Sequence, residues 1–410
     1  MGLVDHGRLR ALMQACGFDG LLVVAPENFA YLVGTPGIPV TIWRRAGPAS
    51  VVVTAHGAMT VIAPDSRAED IHRLHPAARV LSHPLWMERV EIDPASAGTP
   101  AQIITRATAG RDARRAETYD EAMVLDLMRT AVADAGLLGK RLGIELEFAP
   151  ALDIKRIRAA LGDTHLVDSS HLIREVRAIK TPAEIELHRR ATRLTEIGII
   201  ESLRGLDDST TAIDVQARFR EAISRTVRNE RIPDFESAGS TVNLGPYLWG
   251  PEVNPLRRVQ SGDLIQFDSG VVLSRSMSDI GRTFSYGRAG DVARHIQAAL
   301  LAGFAAGKAE LRPGRRFRDV FHAAQNAVRA NGLPSYARGH LGHSIGSLFI
   351  EEWPFISATE QRELEPGMVI AFEVPYYANG VGGFQNEDDV LITANGHESF
   401  NALPMELVQI

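Results

Sequence analysis

Cysteine is almost absent: Cys16 is the only one in a chain of 410 residues. That excludes a disulfide framework and a thiolate metal cluster. In "GRLRALMQACGF" Cys16 joins Leu9, Leu12 and Met13 at helical spacing, so it is expected to be a buried packing residue of an amphipathic helix. Runs of Lys or Arg are also missing and the net charge is −6, which argues against nucleic acid or an anionic membrane as a main partner. No apolar run approaches the ~20 residues that span a bilayer. The first twenty residues lack the basic start, apolar centre and small-residue cleavage site of a secretory signal. In the first half no glycine-rich loop follows a strand, so a nucleotide is not expected there. The expectation is a cytoplasmic enzyme with neither a nucleic-acid nor a membrane partner.

Apolar residues, in contrast, are plentiful at 45%, and the length exceeds what one core usually serves, so two domains are expected. The first alternates helix and strand. A helix to about residue 17 precedes "GLLVVAP" (20–26), "ASVVVTA" (49–55), "MTVIAP" (59–64) and "ARVLSH" (78–83). Helical stretches near 119–135 and 150–161 flank the strand "KRLGIELEF" (140–148). This is an α/β domain over residues 1–170 with a parallel or mixed sheet. The texture then changes. "HLIREVRAIKTPAEIELHRRATRLTEIGIIESL" reads as one helical segment carrying Pro182 near its start and Glu184 in its first turn. Further helices are expected at 211–229, 290–308 and 317–331, with strands at 263–273, 277–286, 368–374 and 389–393. Residues 171–410 therefore form an α+β domain.

Four carboxylates sit in apolar strands, where burial costs most: Asp268 in "LIQFDSG", Asp279 in "SMSDIGRTF", Glu373 in "VIAFEVP" and Glu387 in "GGFQNEDDVLIT". A buried carboxylate must be paired, neutralised or bound to metal. Two divalent cations would balance the four charges and leave room for one neutral imidazole, for which His343 is the natural choice. An oxygen-rich set with one imidazole suits Mn, Fe or Co, with Zn a further option. Asp268 and Asp279 are spaced as on facing strands of one hairpin, so their side chains can meet on one face.

The segment around His343, "RGHLGHSIG", also contains a G-x-S-x-G match, and Ser344, Asp388 and His397 follow the order of an α/β-hydrolase triad. That fold needs a helix after the serine. Pro354 and its aromatic neighbours make a poor one, so Ser344 is read as a bystander.

Together these motifs resemble the superfamily of methionine aminopeptidase, aminopeptidase P, prolidase and creatinase, the pita-bread fold, and in particular its prolidase and creatinase branch. "LIREVRAIKTPAEIELHRRA" resembles the start of the catalytic domain. "SGDLIQFDSGV" with "SDIGRTF" resembles the two-aspartate hairpin, "GHSIG" the histidine loop, and "LEPGMVIAFEVPYY" with "NEDDVLIT" the two glutamate strands. The resemblance places Asp268, Asp279, His343, Glu373 and Glu387 on the five metal-ligand positions. It implies a creatinase-like N-terminal domain, a homodimer and metal-assisted hydrolysis of an amide in a small-molecule or short-peptide substrate. In that chemistry two cations share a hydroxide nucleophile, and Glu373 acts as general base.

The departures bear on substrate. Peptide-cleaving relatives carry a histidine seven residues after the ligand histidine; here Ile350 stands there, in "FIE". A histidine upstream of the first aspartate is replaced within "YLWGPEVNPL", where Trp249 lies. The arginine two residues before the last glutamate is Gln385. Isoleucine can neither donate a hydrogen bond nor move a proton. Trp249, Ile350, Trp353 and Gln385 are accordingly read as substrate-pocket residues, with Tyr247, Phe349 and Phe355 as further aromatic lining. His340 and Tyr377 are read as further catalytic groups, His340 as a substitute proton carrier. The expected function is an Xaa-Pro peptidase-like metallohydrolase acting on a substrate that need not be a regular peptide. The alternative is a metal-dependent lyase cleaving C–S or C–N on the same fold. A binding-only scaffold is disfavoured, because it would have no need of buried acids.

Overall fold

A computed structural model describes residues 4–37, 42–110, 114–347 and 352–410. The chain divides into two compact units, Met1–Val176 and Arg177–Ile410, so the division falls inside the helix Ser170–Ala178.

The first unit is built on a six-stranded sheet of β1 (Gly20–Val23), β2 (Ser50–Thr54), β3 (Met59–Pro64), β4 (Arg79–His83), β5 (Arg141–Ile144) and β6 (His165–Asp168), ordered β4-β3-β2-β1-β5-β6. The β1–β2 and β2–β3 pairs are antiparallel and the others parallel, so the sheet is mixed. The inner strands β1 and β2 read as nearly unbroken apolar runs because both their faces are covered, whereas β4 and β6 at the two edges are only partly buried. Val51 and Val53 enter one core with Leu9, Met13 and Phe29, while Val52 enters another with Met128, Ile144 and Ile157.

Two helices here escape the hydrophobic pattern. Pro26–Val33 starts on a proline at its first position and ends on Gly34 in the left-handed region (φ 79°). Pro100–Thr108 is set by a Thr99/Gln102 capping box and buries no residue. Cys16 does not pack: it caps the C-terminus of the helix His6–Ala15 and is exposed.

The second unit carries β7 (Phe235–Leu244), β8 (Leu264–Leu273), β9 (Ser276–Met277), β10 (Ile280–Ser285), β11 (His340–Ser344), β12 (Glu352–Ser357), β13 (Val369–Glu373), β14 (Tyr376–Ala378), β15 (Gly382–Phe384) and β16 (Glu387–Thr393). The main path of its large sheet is β12-β11-β13-β16-β10-β8-β7, antiparallel throughout. The segment expected as one helix is two. Ser170–Ala178 stops before Pro182–Leu203 because a residue preceding proline avoids helical angles, and Thr181 instead caps the second helix in a box with Glu184. Strand alternation sets the faces of the sheet. Ile370 and Phe372 pack into the core under the helices Asp291–Glu310 and Phe317–Ala330, while Val369 and Ala371 face a second cluster with Ile345 and Leu391.

Candidate metal centre

Register places the five sequence-derived ligands. Glu373 on β13 lies opposite Glu387 on β16, Glu387 opposite Gly281 on β10, and Gly281 opposite Asp268 on β8. These four positions form one row across the sheet. Asp279 precedes Gly281 by two residues, and His343 on β11 pairs with Ala371, two residues before Glu373. A period of two puts all five side chains on the Ala371 face. The row has one position without a side chain, and Gln385 fills it. A Cβ at Gly281 would lie 1.8 Å from Gln385 Cγ, so only glycine lets the amide in.

The imidazole of His343 is buried, at 4% exposure. Its Nδ1 donates to the Ser344 carbonyl at 3.1 Å, which fixes the tautomer and leaves the Nε2 lone pair outward, 3.8 Å from Asp279 Oδ2. Donor atoms of Asp279, His343 and Glu387 lie within 4.8 Å of one another, a cation-sized cluster. Gln385 Nε2 donates to Glu373 Oε2 at 2.9 Å and to Glu387 Oε2 at 3.1 Å, and Tyr377 Oη donates to Gln385 Oε1 at 3.2 Å.

Burial pushes the Glu387 carboxyl well above its ordinary value, and the charges of Asp279, Glu373 and Asp268 push it further. Acids packed this tightly cannot all ionise without positive charge among them. Four carboxylates and one imidazole of fixed tautomer are a donor set that fits hard divalent cations, and the residues present therefore fit a metal centre.

Of the other expected residues, the structure brings His340, Tyr377, Gln385 and Phe355 to this centre. His340 Nδ1 lies 3.5 Å from Glu373 Oε1, with its ring 5.4 Å from Phe355 and 6.2 Å from His343. Tyr377 reaches it through Gln385, and burial raises its phenol. Trp249 is 55% exposed and meets Tyr377 edge-on at 6.4 Å. Gln385 is 2% exposed, so it belongs to the acid cluster rather than to an open pocket wall. Trp353 is turned to Glu360, which accepts its indole N–H at 3.1 Å, and to Arg362, whose guanidinium lies 4.7 Å from its ring. Tyr247 lines a cavity of 230 Å³ with Ile213, Asn243 and Val253. Ile350 and Phe349 lie outside the described residues.

The hydrolase-like triad does not assemble. Ser344 accepts from Lys180 at 3.0 Å, Asp388 is held by Arg282 and Lys308 at 2.7 Å each, and His397 Nδ1 donates to the Leu311 carbonyl.

Two groups at the centre were not singled out from sequence. Asp389 is fully buried and accepts the Thr192 hydroxyl at 2.8 Å and the backbone N–H of Asp279 at 3.2 Å, so it holds the loop that carries that aspartate. Burial raises its carboxyl to about 8. A third consecutive acidic letter in "NEDDV" was the signal. Arg338 approaches Glu373 Oε1 at 3.7 Å, and nothing in "YARGH" marked it.

The fold and this centre define a two-domain metallopeptidase. The sequence pattern of metallopeptidase family M24 matches residues 186–394, and that of the creatinase/prolidase N-terminal domain matches residues 6–179. The chain belongs to family M24, with the pita-bread fold. An uncharacterized peptidase of Staphylococcus aureus (strain MRSA252) is 30% identical over 259 residues, 63% of this chain and 72% of that protein. Among solved structures, the Xaa-Pro dipeptidase from Bacillus anthracis superposes with a TM-score of 0.78 at 20% identity, covering 99% of both chains. The prolidase from Pyrococcus horikoshii OT3 gives 0.75 at 19%, covering 98% of this chain and 99% of that one. At such identities these likenesses describe the fold. No described helix is long and apolar enough to cross a membrane.

Proposed function

We propose that this chain is a hydrolase of the Xaa-Pro peptidase type, with two divalent cations (Mn, Fe or Co before Zn), that cleaves an amide bond in a small substrate. The observation that carries the reading is the row of Asp268, Glu387 and Glu373 with Asp279 and His343 on one face, ending at a glutamate flanked by His340.

Such cations, when bound, acidify a water and polarise the scissile carbonyl. Asp268, Asp279, His343, Glu373 and Glu387 would hold them. The Gln385 amide orients Glu373 through Oε2, which leaves Oε1 turned to His340. Glu373 takes the proton of the attacking water and returns it to the departing amine. His340, beside the same oxygen, accepts or supplies that proton and so stands in for the histidine that Ile350 replaces. Phe355, ring to ring with both His340 and His343, keeps that side apolar and excludes water.

The test is product analysis on Xaa-Pro dipeptides and small amides with the Mn-supplemented chain. Release of the free amine, stopped by EDTA and restored by Mn, is the expected result. Less than one equivalent of retained metal, or an unsaturated elimination product in place of the hydrolysis pair, overturns the reading.

A further inference from the structure

We infer that His188 and Thr192 are positioning residues: from the buried face of the helix Pro182–Leu203 they set the main chain that carries Asp279 against His343. This deepens the reading above and rests on its metal centre. Asp279 needs such support because the sheet does not supply it. It lies between β9 and β10, one residue short of the β8–β10 ladder, which begins at Ile280 opposite Ser269.

The link from Met277 to Asp279 is instead held group by group. Its backbone donors are all used: Met277 N–H on the Gly346 carbonyl at 3.2 Å, Ser278 N–H on the Val271 carbonyl at 3.0 Å, and Asp279 N–H on the Asp389 carboxylate at 3.2 Å. The helix provides the remaining contacts. His188 Nδ1 donates to the Met277 carbonyl at 2.7 Å. The hydroxyls of Thr195 and Ser278 share a hydrogen bond of 2.7 Å. Thr192 Oγ1 donates at 2.8 Å to Asp389 Oδ2, an oxygen that also accepts the Asp279 N–H.

His188, Thr192 and Thr195 follow one another at i, i+4 and i+7, so they stand on one face of the helix, and all three are buried. Polar side chains on such a face are costly unless they are bonded. Their partners are three consecutive residues, the last reached through Asp389. The His188 ring serves this contact alone among the described residues, since its Nε2 is buried without a hydrogen-bond partner. Burial lowers the imidazole to about 4, so it is neutral, and a carbonyl partner puts its one proton on Nδ1. A helix moves as a body, and two contacts one turn apart fix both ends of the link. The same link reaches the histidine side, because Gly346, which accepts from Met277, lies three residues beyond His343. The separation of 3.8 Å between His343 Nε2 and Asp279 Oδ2 is therefore set from this helix.

The test uses the full chain. Thr192→Val removes only the hydroxyl, and Mn affinity in a chelator competition should fall about tenfold to a hundredfold. Thr192→Ser should restore it. His188→Leu should weaken Mn to a similar degree, and His188→Asn should recover most of the loss, because its amide N–H replaces the Nδ1 donor. The visible spectrum of the Co(II)-loaded chain should change in the Val and Leu variants and return in the Ser and Asn variants. Ser202 is the control: it is buried on the same helix and donates to the Ile199 carbonyl at 2.7 Å. Ser202→Ala should lower the melting temperature without moving Mn affinity. In the metal-free chain, amide exchange in a peptide covering 276–282 should quicken in Thr192→Val and His188→Leu but not in Ser202→Ala. Unchanged Mn affinity and exchange in Thr192→Val or His188→Leu, an equal Mn loss in Ser202→Ala, or failure of Ser and Asn to restore binding overturns the assignment. If this pattern appears while no amide is cleaved, the hydrolase reading falls and the positioning role stands. A wild type that binds neither Mn nor Co overturns both.

Discussion

Glu373 and Glu387 share one neutral partner, and much of the centre's chemistry follows from that. The Gln385 amide donates to both, so each glutamate keeps one oxygen fixed and the other turned to the cluster. Outer partners of this kind typically change metal affinity by about 10–100-fold when removed. Gln385→Leu should therefore weaken Mn binding by about that factor in a chelator competition, with the fold intact by circular dichroism. Unchanged affinity would show that the amide only fills space. His343→Ala removes a proposed ligand instead, and metal retained on purification should drop below one equivalent while the protein still melts cooperatively. Retention of full stoichiometry would take His343 out of the centre. At this scale the sequence was informative where chemistry is unusual in its local setting, as with an acid in an apolar strand. It was silent on Arg338, since an arginine in a turn is ordinary until register brings it beside a glutamate thirty-five positions on.

Strands supply what no single residue shows. Convergence of the five donors requires β8, β10, β16, β13 and β11 to be neighbours in one register, and a slip of one residue would turn a donor to the far face. Strand-like runs rich in Gly and Asp made β8, β10, β13 and β16 legible. β7 was not, because "FESAGSTVNL" is the edge strand and buries only Val242 and Leu244. β11 was missed as a strand for another reason: it is short, and Gly342 within it adopts φ 122°, pressed so close to Ala371 that a Cβ would meet that carbonyl oxygen at 2.2 Å. Pro26–Val33 escaped because its caps lie outside the hydrophobic period. Gly281 links register to chemistry. Gly281→Ala must expel Gln385 from the row, an overpacking cost of about 1–3 kcal/mol. Both the urea midpoint and the Mn affinity should fall together; a variant losing neither would mean that Gln385 can leave the row freely.

On the scale of the whole molecule, each unit has its own core and its own buried charge, so each should answer to a different condition. In the second unit, the proposed cations would bind only the folded cluster. Mn at about a hundred times its dissociation constant should stabilise that unit by about 2.7 kcal/mol, read as protection from hydrogen exchange in peptides covering β8, β13 and β16. In the first unit the relevant group is Glu145. It is fully buried and accepts the backbone N–H groups of Val24 and Ala25 at 2.6 and 2.7 Å and the Asn28 amide at 2.5 Å. Burial outweighs those bonds and raises its carboxyl from 4.5 to about 7. Between those values the folded state keeps a proton that the unfolded chain has released. The stabilisation is thus fully present below pH 4.5 and is lost as the pH rises through about 7. The loss is on the order of 3 kcal/mol. Glu145→Gln keeps the geometry without a titrating proton, since a rotated Asn28 amide can accept from the new Nε2 while Oε1 serves Val24 and Ala25. Denaturant unfolding followed by exchange at β1 and β5 should show wild type weakening from pH 5 to 8, with the variant nearly flat across that interval. Equal slopes would mean that Glu145 stays ionised in the folded unit and that its three donors, not its burial, set its charge.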